Sequence, residues 1–254
     1  MPSTKHSAVK GVGTHPVHCA DCPIRHRAVC STVRDEDLNA LNSIKHYKTM
    51  LPGQEIVAAG ETLSAIGSVV EGVVSLSKTM IDGRRQMVGL MFPSDFIGRP
   101  NRPVAPYDAV AVTPVKLCLF GRAQFERLLH ERPEIEQRLL EMTLDELDSA
   151  RDWMLLLGRK TAKEKIATFL TILGRRSAAM KAEDPRDGIT FELPLTREAI
   201  ADYLGLTIET VSRQITQLKK TGVIELVDAR HVRVPDVTRL LDAAGEDADG
   251  GLIS

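Results

Sequence analysis

The chain has 254 residues, with 33 basic and 34 acidic side chains and a formal net charge of −1. Because the charges balance, net charge alone does not indicate a nucleic-acid or membrane partner. Any DNA binding therefore has to come from one local surface. No apolar run approaches the roughly 20 residues that span a bilayer, and residues 1–17 lack the apolar core of a secretion signal. We therefore expect a cytoplasmic protein, in which clustered cysteines are more often metal ligands or redox groups than disulfides.

The N-terminal segment, residues 1–34, begins with a small, polar leader and contains three of the four cysteines. Cys19, Cys22 and Cys30 lie close together, whereas Cys118 is distant in sequence. A fold that brings Cys118 beside the trio would make a four-thiolate site. Such a site suits an iron–sulfur cluster or structural zinc, and the thiols could also serve redox sensing. The remaining alternative is that Cys118 is simply buried, as free cysteine often is.

Residues 35–132 form the second predicted segment. It starts with a short helix over Asp35–Ile44, whose apolar residues recur at helical spacing. From Tyr47 to Phe120, short β-prone runs alternate with turn residues, which is typical of an all-β sandwich or barrel. The predicted strands are 55–57, 68–70, 73–77, 86–91, 109–112 and 115–120, and a short helix follows over 122–132.

Residues 133–160 are predicted to form one long helix with an apolar stripe. The stripe has few charges, as a helix that pairs with a second copy of itself requires. We therefore predict a homodimer seam, and the alternative is that the same face packs on the chain's own β domain. The predicted seam contains Leu140, Leu144, Leu147, Ala150 and Met154.

Residues 161–240 contain a helix-turn-helix pattern. Thr196 can cap one helix, Gly205 lies in a short turn, and Thr207 can cap a second helix over 208–220. An ordinary helical hairpin with a solvated face is the alternative. The other predicted elements are a helix over 161–175, a polar loop over 177–188, two strands of a wing over 223–227 and 231–234, and a flexible tail over 241–254.

The second helix of this pair divides into two stripes. Val211 and Ile215 belong to an inward apolar stripe, which continues to Leu218. The polar residues of the opposite face can read bases, because an arginine can grip guanine and a glutamate can accept from the amine of cytosine. These outward residues are Glu209, Ser212, Arg213 and Thr216.

These motifs resemble the CRP/FNR superfamily of bacterial regulators, in particular the FNR branch and its alphaproteobacterial FnrL type. The resemblance covers about residues 18–235 and implies an α+β fold. It consists of an N-terminal β-roll, like a cyclic-nucleotide-binding jelly roll, a long dimerisation helix and a C-terminal winged helix-turn-helix. The resemblance also implies that Glu209, Ser212 and Arg213 read TTGAT-like half-sites. CRP-type regulators have an arginine directly before this glutamate and a glycine in place of this serine.

The cysteine pattern carries the second part of the resemblance. Its spacing, C-x2-C-x7-C, is that of the FnrL type, whereas the best-known FNR pattern has a shorter second gap. The resemblance implies that Cys19, Cys22, Cys30 and Cys118 hold an oxygen-labile 4Fe-4S cluster. Arg25 and Arg27, beside the trio, are expected in a solvated loop, and the alternative is that their positive charge compensates the anionic cluster.

The β segment resembles a cyclic-nucleotide-binding roll, but it lacks the residues that hold the nucleotide. Gly98-Arg99-Pro100 departs from the pattern that clasps the ribose. Asp108 stands where the phosphate-binding arginine would fall, and an aspartate there would repel a cyclic phosphate. We therefore expect no cyclic nucleotide as a cofactor.

The resemblance implies an oxygen-sensing transcription regulator and not an enzyme. With its cluster, a homodimer would bind palindromic double-stranded DNA and contact RNA polymerase, and oxidation would lower its affinity for DNA. The hairpin tip Asp82–Arg85 is the candidate polymerase contact, and a plain solvated turn is its alternative. The best-studied FNR type has a charged residue near the position of Ala150, which helps to keep the form without a cluster monomeric. The small apolar side chain of Ala150 therefore predicts that the dimer dissociates incompletely when the cluster is absent. A zinc-stabilised or thiol-redox regulator and an iron–sulfur electron carrier are the alternative functions.

Overall fold

The structure is a computed structural model that describes residues 18–35, 38–181 and 188–245. The predicted leader over 1–17 and the tail residues 246–254 lie outside this description. Among the helices within the described ranges, none combines the length and apolar character that a membrane crossing requires.

The chain divides into two compact units. The first is formed by the described residues of Met1–Leu76 and Leu90–Arg138. The second is formed by Ser77–Gly89, which is the outer part of a β hairpin, and by the described residues of Leu139–Ser254.

Antiparallel strands build most of the first unit. They are β1 (Lys45–Met50), β2 (Glu55–Val57), β3 (Ala65–Glu71), β4 (Val74–Thr79), β5 (Arg85–Met91), β6 (Phe96–Ile97), β7 (Asp108–Ala111) and β8 (Val115–Gly121). They form two four-stranded sheets, with the orders β1-β8-β3-β6 and β2-β7-β4-β5. Val69, Val74 and Leu117 belong to the apolar core of this unit. The predicted β-roll is therefore confirmed, and β1 and β6 are strands that the sequence pattern did not predict.

Two short helices flank these strands. Helix α1 (Leu38–Ile44) precedes β1, and α2 (Arg122–Glu131) follows β8. Phe125 of α2 is fully buried, and its ring stacks on Phe120 with centroids 5.3 Å apart. This contact fixes the end of β8, because burying a large aromatic side chain supplies much of the packing energy of a small core.

Helix α3 (Pro133–Arg159) begins in the first unit and continues into the second. The predicted long helix is confirmed. The apolar side chains of its stripe have exposed fractions between 45% and 65%. The described residues leave this stripe exposed, and its pairing with a second copy stays a prediction. These side chains are Leu140, Leu144, Leu147 and Met154.

The second unit contains the C-terminal helices and a small sheet. Its elements are α4 (Ala162–Lys181), β9 (Ile189–Glu192), α5 (Arg197–Leu204), α6 (Ile208–Lys220), β10 (Glu225–Leu226), β11 (His231–Val234) and α7 (Val237–Ala244). The sheet has the order β10-β11-β9, so the predicted wing gains a third strand. This arrangement confirms the predicted winged helix-turn-helix.

Two predicted boundaries are wrong. The start of the helix predicted over Asp35–Ile44 involves residues 36–37, which lie outside the described residues, and α1 is described from Leu38. Helix α4 continues through 177–181, because its alanine and methionine are good helix formers and Ala178 is buried. Helix α7 continues four residues into the predicted tail over 241–254, because Leu241 and Ala244 are buried.

Candidate thiolate site and nucleic-acid interface

A tight turn brings the first two cysteines together. Cys19–Asp21 form a short 3-10 helix, and the amide of Cys22 donates a hydrogen bond to the carbonyl of Cys19. His18 caps this turn, because its Nδ1 accepts a hydrogen bond from the Ala20 amide at 3.3 Å. The two-residue gap therefore gives the two thiols a fixed local geometry.

Arg25 ties the rest of the cysteine loop together. Its guanidinium donates to the carbonyl oxygens of Cys30, Ser31 and Val33, at 3.4, 3.4 and 2.9 Å. It also forms a 2.9 Å ion pair with Asp35. The prediction of a solvated loop is wrong for Arg25, since its side chain is only 19% exposed, whereas Arg27 is exposed as predicted. Its planar fork of donors suits this role, because one side chain can serve several carbonyls.

The fourth cysteine is held by the centre of a sheet. Strand β8 lies between β1 and β3, and Cys118 pairs with Tyr47 on one side and Ser68 on the other. A side chain at Gly67 would collide with the carbonyl of Cys118, so β3 can approach β8 this closely only with glycine at that position. The position of Cys118 is therefore fixed by pairing on both edges of its strand.

The fold places Cys118 within electrostatic reach of the three cysteines of the loop. All four cysteines are free, with Cys19 and Cys118 buried. Burial raises the pKa of Cys118 to about 12, and the nearby Cys22, Cys19 and Cys30 add to this rise. Burial likewise raises the pKa of Cys30 to about 11, again with contributions from Cys22 and Cys19. The charge of each of these thiols would therefore affect the others. Among the described residues, no group of three or more His, Cys, Asp or Glu has the arrangement of a metal site.

Polar groups that the sequence pattern did not single out surround these thiols. The Nζ of Lys45 lies 3.4 Å from the Sγ of Cys19. The Nζ atoms of Lys45 and Lys116 lie 5.2 and 4.9 Å from the ring centroid of Tyr47. Both ammonium groups also oppose the rise of the Cys22 pKa that burial causes. Only the register of β1 against β8 reveals this neighbourhood, and register over such a sequence separation leaves no local signal.

The donor set fits an iron–sulfur cluster. Four free thiols are available, and thiolates are the usual ligands of such clusters. The hydroxyl of Ser68, directly opposite Cys118 in the strand pair, is buried without a hydrogen-bond partner. A buried donor without an acceptor is costly, and an anionic sulfur group beside it would relieve that cost.

Two hydrogen bonds attach the cysteine loop to the start of α3. The hydroxyl of Thr32 donates to the carbonyl of Glu134 at 3.1 Å. The guanidinium of Arg138 donates to the carbonyl of Arg27 at 3.0 Å. The loop that carries Cys30 is therefore bonded to the helix that carries the exposed apolar stripe.

The second helix of the helix-turn-helix, α6, has the predicted bounds and caps. The hydroxyl of Thr207 accepts from the Thr210 amide at 3.2 Å, and that of Thr196 accepts from the Ala199 amide at 3.1 Å. Gly205 has φ +63°, a left-handed conformation that glycine adopts without strain, and it ends α5. The pattern of capping residues was therefore sufficient to predict this part of the structure.

The two faces of α6 are also as predicted. Val211, Ile215 and Leu218 are buried, and the outward residues are exposed. Hydrogen bonds from its own amide and from the Thr207 hydroxyl hold the pKa of Glu209 below its usual value, so this group is an acceptor at neutral pH. The exposed predicted readers are Glu209, Ser212 and Arg213.

The turn of the wing is organised by one carboxylate. The amides of Arg230 and His231 both donate to Asp228 at 2.7 Å, and the His231 ring lies 2.8 Å from its other oxygen. These bonds hold the pKa of Asp228 below its usual value. A lowered pKa in the folded state means that this contribution to stability is present at neutral pH and is lost only as the pH falls through that value.

At the position where a cyclic phosphate would need an arginine, Asp108 has a structural partner. Its carboxylate accepts a hydrogen bond from the Ala59 amide at 2.8 Å. The aspartate therefore joins β7 to the loop that follows β2.

Two family models match the chain. Residues 47–132 match the cyclic nucleotide-binding domain, and residues 164–243 match the Crp-like helix-turn-helix domain. The first match covers most of the β-roll. The second covers α5 and α6 together with the wing.

The chain is also similar to known regulators. It is 56% identical to the transcriptional activator protein FnrL of Cereibacter sphaeroides, over 92% of this chain and 94% of that protein. It is 40% identical to the nitrogen fixation regulation protein FixK of Bradyrhizobium diazoefficiens, over 82% of this chain and 86% of that protein. The solved structure of FixK2 from Bradyrhizobium japonicum matches with a TM-score of 0.70 and 33% identity, over 81% of this chain and 98% of that chain.

These relatives are regulators and not enzymes, as the sequence predicted. Together with the two matched domains, the similarity confirms the predicted resemblance. The chain belongs to the CRP/FNR family of transcription regulators.

Proposed function

We propose that the protein is an oxygen-sensing transcription activator that holds a 4Fe-4S cluster through Cys19, Cys22, Cys30 and Cys118. The observation that carries the proposal is that Cys118, at the centre of a sheet, lies within electrostatic reach of three free thiols of one loop. Lys45, two residues from the β1 partner of Cys118, lies 3.4 Å from the Sγ of Cys19 in that loop. The similarity to an activator named FnrL supports it.

The cluster, when bound, supplies an iron–sulfur centre that dioxygen can oxidise. The chain's own contribution is to hold the cysteine loop against β8 and α3. Arg25 closes the loop, and Thr32 and Arg138 bond it to the start of α3. Movement of the loop when the ligand set changes would therefore act directly on the first turns of that helix.

The exposed stripe of α3 supports a homodimer. Leu140 and Leu144 lie one helical turn apart, and both are more than half exposed. Leu147, Ala150 and Met154 continue the stripe at coiled-coil spacing. A second copy of the same helix would remove these side chains from water.

The dimer would bind palindromic double-stranded DNA through two copies of α6. Paired helix-turn-helix units read half-sites about one DNA turn apart, and the N-terminal residues of the second helix contact base edges. Arg213 suits guanine, Glu209 suits cytosine, and Ser212 is adaptable. The proposed target is an inverted repeat of TTGAT-like half-sites, which is what the recognition motif implies.

The tip of the β4–β5 hairpin is the proposed contact with RNA polymerase. Asp82 is held by the amide and the guanidinium of Arg84, which gives the tip a defined shape. The apolar side chains of Met80 and Ile81 beside it are exposed. Exposed apolar groups on a tip of defined shape favour contact with a protein partner over the alternative of a plain solvated turn.

A zinc-stabilised or thiol-redox regulator is the competing function, since zinc uses the same ligands. Metal and sulfide analysis of anaerobically purified protein, with absorption spectra before and after exposure to air, separates the two. We expect iron, sulfide and a brown absorbance that air bleaches. Zinc without visible absorbance, or full absorbance in Cys118→Ala, would contradict the proposal.

A further inference from the structure

We propose that Lys45, Lys116 and Ser68 form a charge-compensating face that stabilises the cluster and slows its reaction with dioxygen. This inference rests on the proposed function. It assigns a role to three residues that are not themselves ligands.

The three residues lie on one face of the sheet. Side chains two positions apart on a strand share a face, and so do directly opposed residues of an antiparallel pair. Lys116 therefore shares the face of Cys118, and Ser68 is opposite Cys118 on β3. On β1, Tyr47 is opposite Cys118, and Lys45 lies two positions before Tyr47.

Lys45 makes the most direct contact. Its Nζ lies 3.4 Å from the Sγ of Cys19, which is within hydrogen-bonding distance for sulfur. A charged donor strengthens a hydrogen bond to an anionic acceptor, and partial burial reduces the screening of both charges. Lys45 is therefore suited to stabilise a thiolate at Cys19.

Lys116 adds a second positive charge from a buried position. The residue is 5% exposed, and its Nζ lies over the ring of Tyr47, 4.9 Å from the centroid. Burial reduces the screening of its charge, so the ammonium group would act on the net negative charge of four thiolates and a cluster on the same face.

Ser68 provides independent support. Its hydroxyl is buried without a hydrogen-bond partner, although its residue is directly opposite Cys118. A hydroxyl in that state destabilises the protein, unless a group that is bound later accepts a hydrogen bond from it. Hydrogen bonds to sulfur, net charge and solvent exposure together set the reduction potential of an iron–sulfur cluster.

These groups should therefore affect the oxidation of the cluster. Dioxygen is the oxidant, and it takes electrons less readily from a centre whose negative charge is compensated. Removal of a positive charge or a donor should lower the reduction potential and shorten the lifetime of the cluster in air.

The test measures the decay of visible absorbance in air for variants reconstituted anaerobically. Lys45→Met should shorten the half-life about tenfold, since a charged hydrogen bond is worth about that factor or more. Lys45→Arg keeps the charge and should stay close to the wild type. Lys48→Met is the matched control, because Lys48 is exposed on the opposite face of the same strand.

Ser68→Ala separates a role toward the cluster from a role in folding. We expect it to shorten the half-life about threefold, as loss of one neutral hydrogen bond would. The melting temperature of the cluster-free variant should stay the same or rise, because an unsatisfied buried hydroxyl has been removed.

If Lys45→Met and Ser68→Ala decayed at the rate of Lys48→Met, the inference would be wrong and the proposed function would stand. If the reconstituted wild type carried neither iron nor sulfide, the proposed function would fail and this inference with it.

Discussion

Trp153 of α3 stacks on Tyr203 of α5, with ring centroids 4.1 Å apart and ring planes inclined by 22°. Tyr203 also meets Phe169 of α4 edge to face at 5.9 Å. Trp153 directly precedes Met154 of the exposed stripe. One helix therefore carries the predicted dimer seam and, on another face, packs against the first helix of the helix-turn-helix.

Loss of this stack should destabilise the second unit. Trp153→Ala should lower the free energy of unfolding by about 3 kcal/mol, the lower end for a large aromatic side chain, since Trp153 is only half-buried. Trp153→Phe retains a ring and should lose less than half of that. Urea unfolding followed by circular dichroism measures both, and equal losses in the two variants would contradict a role for the ring stack. The single tryptophan of the chain also makes the wild-type stack visible by fluorescence.

Arg213 should determine sequence preference rather than general affinity. Arg213→Ala should reduce the difference in binding free energy between a TTGAT site and a site with another base in place of the guanine. The expected reduction is about 1–3 kcal/mol. Lys220→Ala is the control, because this exposed lysine lies at the far end of α6, away from the N-terminal residues that contact base edges. Binding titrations on both DNA sites measure the difference. A uniform loss on both sites for Arg213→Ala would identify it as a phosphate contact.

The stripe of α3 should control the oligomeric state. Leu147→Glu places a charge in the middle of the seam and should convert the cluster-bound dimer to monomer in sedimentation velocity. Asp145→Lys changes charge on nearly the opposite side of the helix and should leave the dimer intact. A dimeric Leu147→Glu variant would exclude this stripe as the seam. Because Ala150 adds no charge to the seam, we also expect the cluster-free wild type to retain some dimer.

Arg138 should couple the cysteine loop to α3. Arg138→Ala removes the hydrogen bond to the carbonyl of Arg27 without touching a cysteine. We expect normal iron content but a several-fold smaller change in DNA affinity on exposure to air, since coupling between sites in such switches is typically about 5–150-fold. DNA titration with parallel iron analysis measures both properties. An unchanged response to air would show that the coupling runs elsewhere.

The sequence predicted local features well and pairing over long distances poorly. Helix α6 was predicted to its end residues, because Thr207, Gly205 and the apolar stripe act within a few residues of one another. The long helix was predicted from its own residue pattern, whereas the β-roll and the set of four cysteine ligands came from the resemblance. The surroundings of Cys118 were not predicted, because the positions of Lys45 and Ser68 depend on strand register.

The same limit explains the other differences. Strand β9 pairs with β11 across a long sequence separation, and its short apolar alternation is weak evidence by itself. Arg25 was predicted to be solvated because a charged residue in a loop usually is, yet three carbonyls of the folded loop require its donors. Buried hydrogen bonding of this kind is visible only once the chain is folded.

We propose above all that the four-thiolate site controls DNA binding in response to oxygen. The most direct measurement is the affinity of the reconstituted protein for an inverted repeat of TTGAT half-sites, before and after exposure to air, in the wild type and in Cys118→Ala. We expect air to weaken wild-type binding by at least about fivefold. We also expect Cys118→Ala to bind weakly under both conditions. Equal affinity of the wild type with and without oxygen would contradict the proposal.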